Sequence, residues 1–331
     1  MERFALAAAV VLGFALTAAL CSLFVPLRRV LERREQQQQP VQSEQPRPAP
    51  LRAPLWGGLC AAAGTVAAVG VGWLAACVGQ PELLGSEGRL MTRLLTALAG
   101  ALAFGAVGLA EDLARMRSPA ALGLRRDVRL LLEALAAAFV LLLLRAAGCL
   151  PRGLGVPGAG YVLLGSAVPF LWAVLMVALA ECARIAERDE GAVCGAAFVA
   201  MLALMMAEAG LGVPGLAVLP AALAGALVAL GLWAFPPARL GVGCCGSLLA
   251  AGAIGCIPLS LDMTSLTVPL ALPFWAAGGL LAAQLLCAKR TGKPLRCWVK
   301  KHKMSPETVF LCSFALSAVG YVLALALLRW C

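Results

Sequence analysis

Charged side chains are scarce in this sequence, and histidine is almost missing from it. Asp, Glu, Lys and Arg make up 13% of the 331 residues, and His302 is the only histidine. Soluble domains carry about 25% charged residues, so an ordinary soluble domain is excluded, and so is a site built from several histidines. The 13 cysteines include one adjacent pair, Cys244-Cys245, and no C-x-x-C spacing, which argues against a zinc or redox centre.

Apolar residues make up 62% of the chain, in blocks long enough to cross a bilayer of ~30 Å. Runs such as 134–144 do not alternate with period two, which favours helices over a barrel. The sequence therefore predicts an all-α integral membrane protein with about ten transmembrane helices and no soluble domain. It would be one polytopic membrane domain, 1–331. Nine or eleven spans stay open; the expected ten are 4–27, 55–79, 93–113, 128–147, 161–183, 192–210, 213–234, 244–261, 266–288 and 308–328.

Most of the 27 lysines and arginines fall in the loops after the first, third, fifth, seventh and ninth predicted spans. The positive-inside rule makes these loops cytoplasmic and both termini external, as in a multi-pass protein of the cell membrane. The net charge of +10 then reflects topology and contact with anionic lipids, not nucleic-acid binding. Residues 28–54, rich in Pro and Gln, are expected to form a mobile cytoplasmic loop.

Acidic residues cluster at the cytoplasmic ends of two predicted spans. Glu111-Asp112 ends the third span, and the end of the fifth carries Glu181, Glu187, Asp189 and Glu190. Charges beside a membrane are costly and are often functional. The alternative is ion pairing, of the first pair with Arg115 or Arg117 and of the second group with Arg184 or Arg188. Glu133, Glu208 and Asp262 carry less weight as single polar residues.

Five segments along the chain follow one another like the motifs of a known family. They are A-P-L-W-G-G at 53–58, G-A-V-G-L-A-E-D-L at 105–113 with Gly123-Leu124 after it, 183–191, P-A followed by G-C-C-G-S-L within 237–248, and the basic loop 289–303. In this order they resemble the motifs of the polyprenyl-phosphate phospho-sugar transferases, the family of phospho-N-acetylmuramoyl-pentapeptide transferase.

The resemblance implies a cytoplasmic site that moves a phospho-sugar from a UDP-sugar to undecaprenyl phosphate, with release of UMP, in cell-wall precursor synthesis. It implies Mg²⁺ as cofactor, and polyprenyl phosphate, UDP-sugar and membrane lipids as partners; a homodimer is left open. Carried over by position, the catalytic residues are Glu111 and Asp112, the metal ligands Asp112 and Glu190, and the substrate-binding residues Glu187, Asp189, Glu190, Lys300, Lys301 and His302.

The chain departs from the family at three polar positions. Cys244 replaces a metal-binding aspartate, and a thiol suits Mg²⁺ poorly. Glu181 and Arg184 replace two asparagines, and His302 is at best a displaced substitute for three histidines. Two functions therefore remain open, an active transferase and a catalytically degenerate paralogue that keeps the fold to bind lipid phosphate or to regulate. A transporter or scaffold is disfavoured by the ordered motifs.

Overall fold

The computed structural model describes residues 2–38, 56–79, 88–117, 123–151, 153–156, 160–163, 165, 167–187, 191–211, 215–235, 238–291 and 306–330. These residues form a mostly helical bundle. Its elements are α1 (Glu2–Gln38), α2 (Gly57–Gly79), α3 (Gly88–Arg117), α4 (Arg126–Ala146), β1 (Gly153–Val156), β2 (Gly160–Leu163), α5 (Ala167–Ala186), α6 (Ala192–Gly210), α7 (Val218–Ala234), α8 (Gly243–Ser260), a 3₁₀ turn (Thr264–Leu266), α9 (Thr267–Leu270), α10 (Leu272–Thr291) and α11 (Pro306–Trp330).

Seven helices in the described part of the chain are long and apolar enough to cross a membrane. The bent pair α9 and α10, with 63° between its two halves, makes an eighth if it is one span. Every predicted span overlaps a helix, but α7 has only 17 residues. Helix α4 carries five charged residues, Arg126, Asp127, Arg129, Glu133 and Arg145. The structure therefore supports an all-α membrane protein with seven or eight clear spans, not the predicted count of ten.

Two segments differ from the prediction in their local structure. Helix α1 continues to Gln38, because residues 27–38 are rich in the helix formers Leu, Arg, Glu and Gln; the rest of the predicted loop, 39–54, lies outside the described residues. The predicted span 161–183 begins instead as strand β2, which pairs antiparallel with β1 from Gly153↔Leu163 to Val156↔Gly160. Glycine and proline between 151 and 160 favour this hairpin over a helix.

Helix α8 forms the centre of the bundle, since every one of its residues is buried. Glycines let neighbouring helices approach its backbone closely. A Cβ on Gly58 of α2 would collide with the backbone of Gly246, and one on Gly108 of α3 would collide with the carbonyl of Cys244. By contrast, large apolar side chains such as Phe4, Phe170 and Leu311 are exposed on the outer helices. An apolar outer surface of this kind suits contact with lipid.

Candidate functional site

Asp112 joins the end of α3 to the beginning of α8. Its Oδ1 accepts a hydrogen bond from the backbone N–H of Cys244 at 3.0 Å, and its Oδ2 accepts one from the N–H of Cys245 at 2.9 Å. The first N–H groups of a helix have no partner within the helix, and a carboxylate there is favoured by the helix dipole. Asp112 is completely buried, so its carboxylate depends on the beginning of α8 for stabilisation.

Glu187 and the Cys244 thiol lie beside Asp112. The Cys244 Sγ–H donates a hydrogen bond to Glu187 Oε2 at 3.1 Å. Ligand atoms of Asp112, Glu187 and Cys244 all lie within 4.8 Å of one another. The end of α3, the residue after α5 and the first turn of α8 therefore meet at one point, which is where a cation would find three potential ligands.

The Arg115 guanidinium lies among these same acids. It donates to Glu111 Oε1 at 2.8 Å and to Glu187 Oε2 at 3.4 Å, and its Nη1 is 3.9 Å from Asp112 Oδ1. Arg115 follows Glu111 by one helical turn, a spacing that brings opposite charges together on a helix surface. The left-handed turn at Gly123 covers the side-chain stems of Glu111 and Arg115. Three carboxylates therefore share one guanidinium group.

A second group of ion pairs adjoins the first. Arg129 of α4 lies 3.6 Å from Glu111 and donates to Glu181 of α5 at 2.7 Å. Arg184, one turn after Glu181, donates to the other oxygen of Glu181 at 2.6 Å. We call the connected set the ion cluster, and it consists of Glu111, Asp112, Arg115, Arg129, Glu181, Arg184, Glu187 and Cys244.

The ion cluster is partly open to its surroundings. The side chains of Arg115 and Glu181 are 21% and 23% exposed, whereas those of Glu111 and Asp112 are nearly closed off. Two buried polar atoms of the cluster, Glu111 Oε2 and Arg184 Nε, have no hydrogen-bond partner among the described residues. Arg184 Nε is closed off, whereas the partly exposed guanidinium of Arg115 is a place where a phosphate oxygen could bind.

Glu133 lies on α4, one turn after Arg129, and is fully buried. Neither of its carboxylate oxygens has a hydrogen-bond partner in the part of the chain that the structure describes. Sequence reasoning gave this residue little weight. Its spacing of four from Arg129 was the available signal, because it puts both residues on one face of α4.

A model of glycosyl transferase family 4 matches residues 94–262. This range is about half of the chain, runs from α3 to just beyond α8, and contains every member of the ion cluster. The chain belongs to glycosyl transferase family 4. Comparison with curated proteins finds no match. Family 4 includes polyprenyl-phosphate sugar-phosphate transferases, so the predicted kinship is confirmed.

Family 4 enzymes generally depend on a divalent metal, but the ion cluster does not suit Mg²⁺. Both oxygens of Asp112 already accept backbone N–H groups, and a thiol is a soft ligand whereas Mg²⁺ prefers oxygen. The remaining carboxylate, Glu187, is shared by the Cys244 thiol and Arg115. The residues present therefore do not form the oxygen-rich site that Mg²⁺ requires.

The residues predicted for the site divide into two groups. Glu111, Asp112 and Glu187 lie together in the ion cluster, and their roles remain predictions. Asp189, Glu190, Lys300, Lys301 and His302 lie outside the described residues. The sequence predicted Arg115 as a partner of the Glu111-Asp112 pair, but the contribution of Arg129 was missed because its partners come from other helices.

Proposed function

We propose that this chain is a phospho-sugar transferase that uses the ion cluster to bring a polyprenyl phosphate to a nucleotide-linked sugar diphosphate. The observation that carries the proposal is the meeting of three arginines and four carboxylates at the ends of helices, inside the segment that matches family 4. In the reaction a lipid phosphate oxygen forms a bond to the sugar-linked phosphorus. The bond from that phosphorus to the leaving nucleotide breaks, and UMP departs if the donor is a UDP-sugar.

Two phosphates that approach each other need positive charge between them. The arginines of the cluster supply it, because a guanidinium group is always charged and can donate two parallel hydrogen bonds to a phosphate. Arg115 is the most exposed of the three, and Arg184 is partly exposed although its unpaired Nε–H is buried. Each phosphate oxygen would replace a carboxylate as the partner of an arginine. Asp112 would act as a positioning residue, since it holds the first turn of α8 against α3.

The proposal also includes the location of the site. The cluster lies where α3 and α5 end and α4 and α8 begin, beside arginine-rich segments of the sequence. We propose that this end faces the cytoplasm and that both termini are external, with α4, α7 and the bent pair completing ten spans. Lys300, Lys301, His302, Asp189 and Glu190 remain proposed substrate contacts near this end.

The test is release of UMP by the purified full chain in detergent. The assay would contain undecaprenyl phosphate and UDP-N-acetylmuramoyl-pentapeptide or another UDP-sugar, with Mg²⁺, with Mn²⁺ or with EDTA. We expect release by the wild type, reduced at least about tenfold in Arg184→Gln, because a charge-assisted contact contributes about 1.5–3 kcal/mol. Arg117→Gln, an exposed arginine at the end of α3, should leave the rate unchanged.

A second candidate is a degenerate paralogue that binds lipid phosphate without turnover. The thiol of Cys244 favours it, because it occupies the place of a family metal ligand and donates to Glu187. This candidate predicts no UMP release by the wild type with any metal. It also predicts that polyprenyl phosphate still binds. Partial activity gained in Cys244→Asp would support it, and turnover by the wild type would contradict it.

A further inference from the structure

We infer that Arg115 occupies the place of a divalent cation in this site, so that the ion cluster is balanced by its own arginines and takes up no metal. The inference rests on the proposed function only in treating the cluster as the transfer site. It concerns what holds the carboxylates together, and it can be tested without turnover.

The position of Arg115 is the first argument. Three side chains offer ligand atoms within 4.8 Å of one another, Asp112, Glu187 and Cys244. The guanidinium of Arg115 contacts one of these ligands, Glu187 Oε2, at 3.4 Å and lies 3.9 Å from another, Asp112 Oδ1. A metal ion bound to both oxygens would lie next to this guanidinium, and the two positive charges would repel each other. Arg115 also forms an ion pair with Glu111 at 2.8 Å, and this contact orients its guanidinium toward the acids.

The balance of charge is the second argument. Glu111, Asp112 and Glu187 contribute three negative charges, and the positive charges of Arg115 and Arg129 balance two of them. The beginning of α8 adds roughly half a positive charge at Asp112. Glu181 and Arg184 add one charge of each sign, and Arg129 is shared between Glu111 and Glu181. Only about half a negative charge remains in the contacting set, so adding a divalent ion would create an excess of positive charge.

The thiol at position 244 fits the same balance. A neutral Cys244 adds no negative charge, and its S–H donates to the Glu187 oxygen that also faces Arg115. An aspartate there would add a negative charge beside Asp112 and Glu187, and a second cation would then be favoured. Cys244 and Arg115 are therefore two parts of one arrangement: the thiol removes a charge, and the guanidinium balances those that remain.

The experiment compares Mn²⁺ binding by the full chain and by the double variant Arg115→Met/Cys244→Asp, using isothermal titration calorimetry in detergent. The wild type should show no saturable binding. The double variant should bind Mn²⁺ saturably, and adding Asp112→Asn should weaken that binding at least about tenfold. Arg117→Met/Cys244→Asp is the matched control, because Arg117 is an exposed arginine on the same helix, and it should bind far more weakly than the double variant.

Two results would overturn the inference. Saturable Mn²⁺ binding by the wild type that is lost in Asp112→Asn would show that the metal and Arg115 coexist. Lack of binding in a folded double variant would show that Arg115 does not hold the place of a metal. If the double variant does not fold, the single variant Arg115→Met replaces it. Mn²⁺ should then raise the midpoint of thermal unfolding of Arg115→Met, but not that of the wild type or of Arg117→Met.

Discussion

Glu133 and Glu181 are acids on neighbouring helices, and they differ sharply in their partners. Glu181 accepts hydrogen bonds from Arg129 at 2.7 Å and from Arg184 at 2.6 Å. Glu133 is fully buried, and neither of its oxygens has a hydrogen-bond partner among the described residues. A buried carboxyl group without hydrogen bonds destabilises the folded state, and it does so far more when it is ionised. The two residues therefore contribute to stability in opposite directions.

We predict that Glu133→Gln leaves the stability of the protein unchanged or raises it. Glu181→Gln should lower it by about 1–3 kcal/mol, since it weakens two charge-assisted hydrogen bonds and leaves Arg184 without the anion it pairs with. Both substitutions keep the shape of the side chain, so each is the control of the other. Thermal unfolding in detergent measures the difference. A larger loss in Glu133→Gln than in Glu181→Gln would contradict this account.

Only some features of the site could be predicted at the scale of residues. Glu111 and Asp112 stand out in sequence as acids at the end of an apolar block, and Arg115 follows Glu111 at a pairing distance. The link from Glu187 to Cys244 could not be found in this way, because it depends on how α5 and α8 pack. Long-range contacts of this kind have no local signal in the sequence.

At the scale of helices, the approach of α3 to α8 positions the site. Gly108 lies one turn before Asp112 on α3, and a Cβ there would collide with the carbonyl of Cys244. The absence of a side chain lets Asp112 reach the N–H groups of the second and third residues of α8 at 3.0 and 2.9 Å. Glycine at position 108 therefore allows the backbones of α3 and α8 to approach closely enough for these hydrogen bonds.

Gly108→Ala is predicted to separate α3 from α8 and to lower stability by about 1–3 kcal/mol, as overpacking in a core does. Gly70→Ala on α2 is the matched control, because a Cβ there meets nothing within 4 Å. The control should be neutral or stabilising, since alanine favours a helix over glycine. The thermal unfolding midpoints of the two variants measure this difference. Equal midpoints would contradict the close approach of α3 to α8 at Gly108.

Helices were the most predictable elements, because continuous apolar blocks leave few alternatives in a membrane. The hairpin of β1 and β2 and the bend between α9 and α10 were missed. Both had signals in the sequence, glycine and proline around 151–160 and the prolines at 269 and 273. Hydropathy averaged over a window hides such breaks.

At the scale of the whole molecule, orientation follows from the distribution of lysine and arginine. In the sequence, arginines and lysines follow the ends of α1, α3, α5 and α10, and α3 and α5 are helices whose ends contribute to the ion cluster. Under the positive-inside rule, we propose that the cluster faces the cytoplasm. The apolar side chains exposed on α1, α5 and α11 would face the lipid.

A reporter on the full chain tests this orientation. Alkaline phosphatase fused to the C-terminus should be active and a green fluorescent protein fused there should be dark, since the C-terminus is predicted to be external. An epitope inserted within residues 39–54 should be reached by antibody only after the membrane is permeabilised. A fluorescent C-terminal fusion, together with an epitope that antibody reaches in intact cells, would contradict the proposed orientation and indicate the opposite one.

The central claim is that the ion cluster binds the phosphate of a polyprenyl lipid, and equilibrium binding of undecaprenyl phosphate to the purified full chain tests it most directly. We predict that Arg184→Gln weakens binding at least about tenfold, or about 1.4 kcal/mol, because it removes a guanidinium whose Nε–H has no other partner among the described residues. Arg117→Gln should bind like the wild type. Equal affinity in all three proteins would contradict the claim.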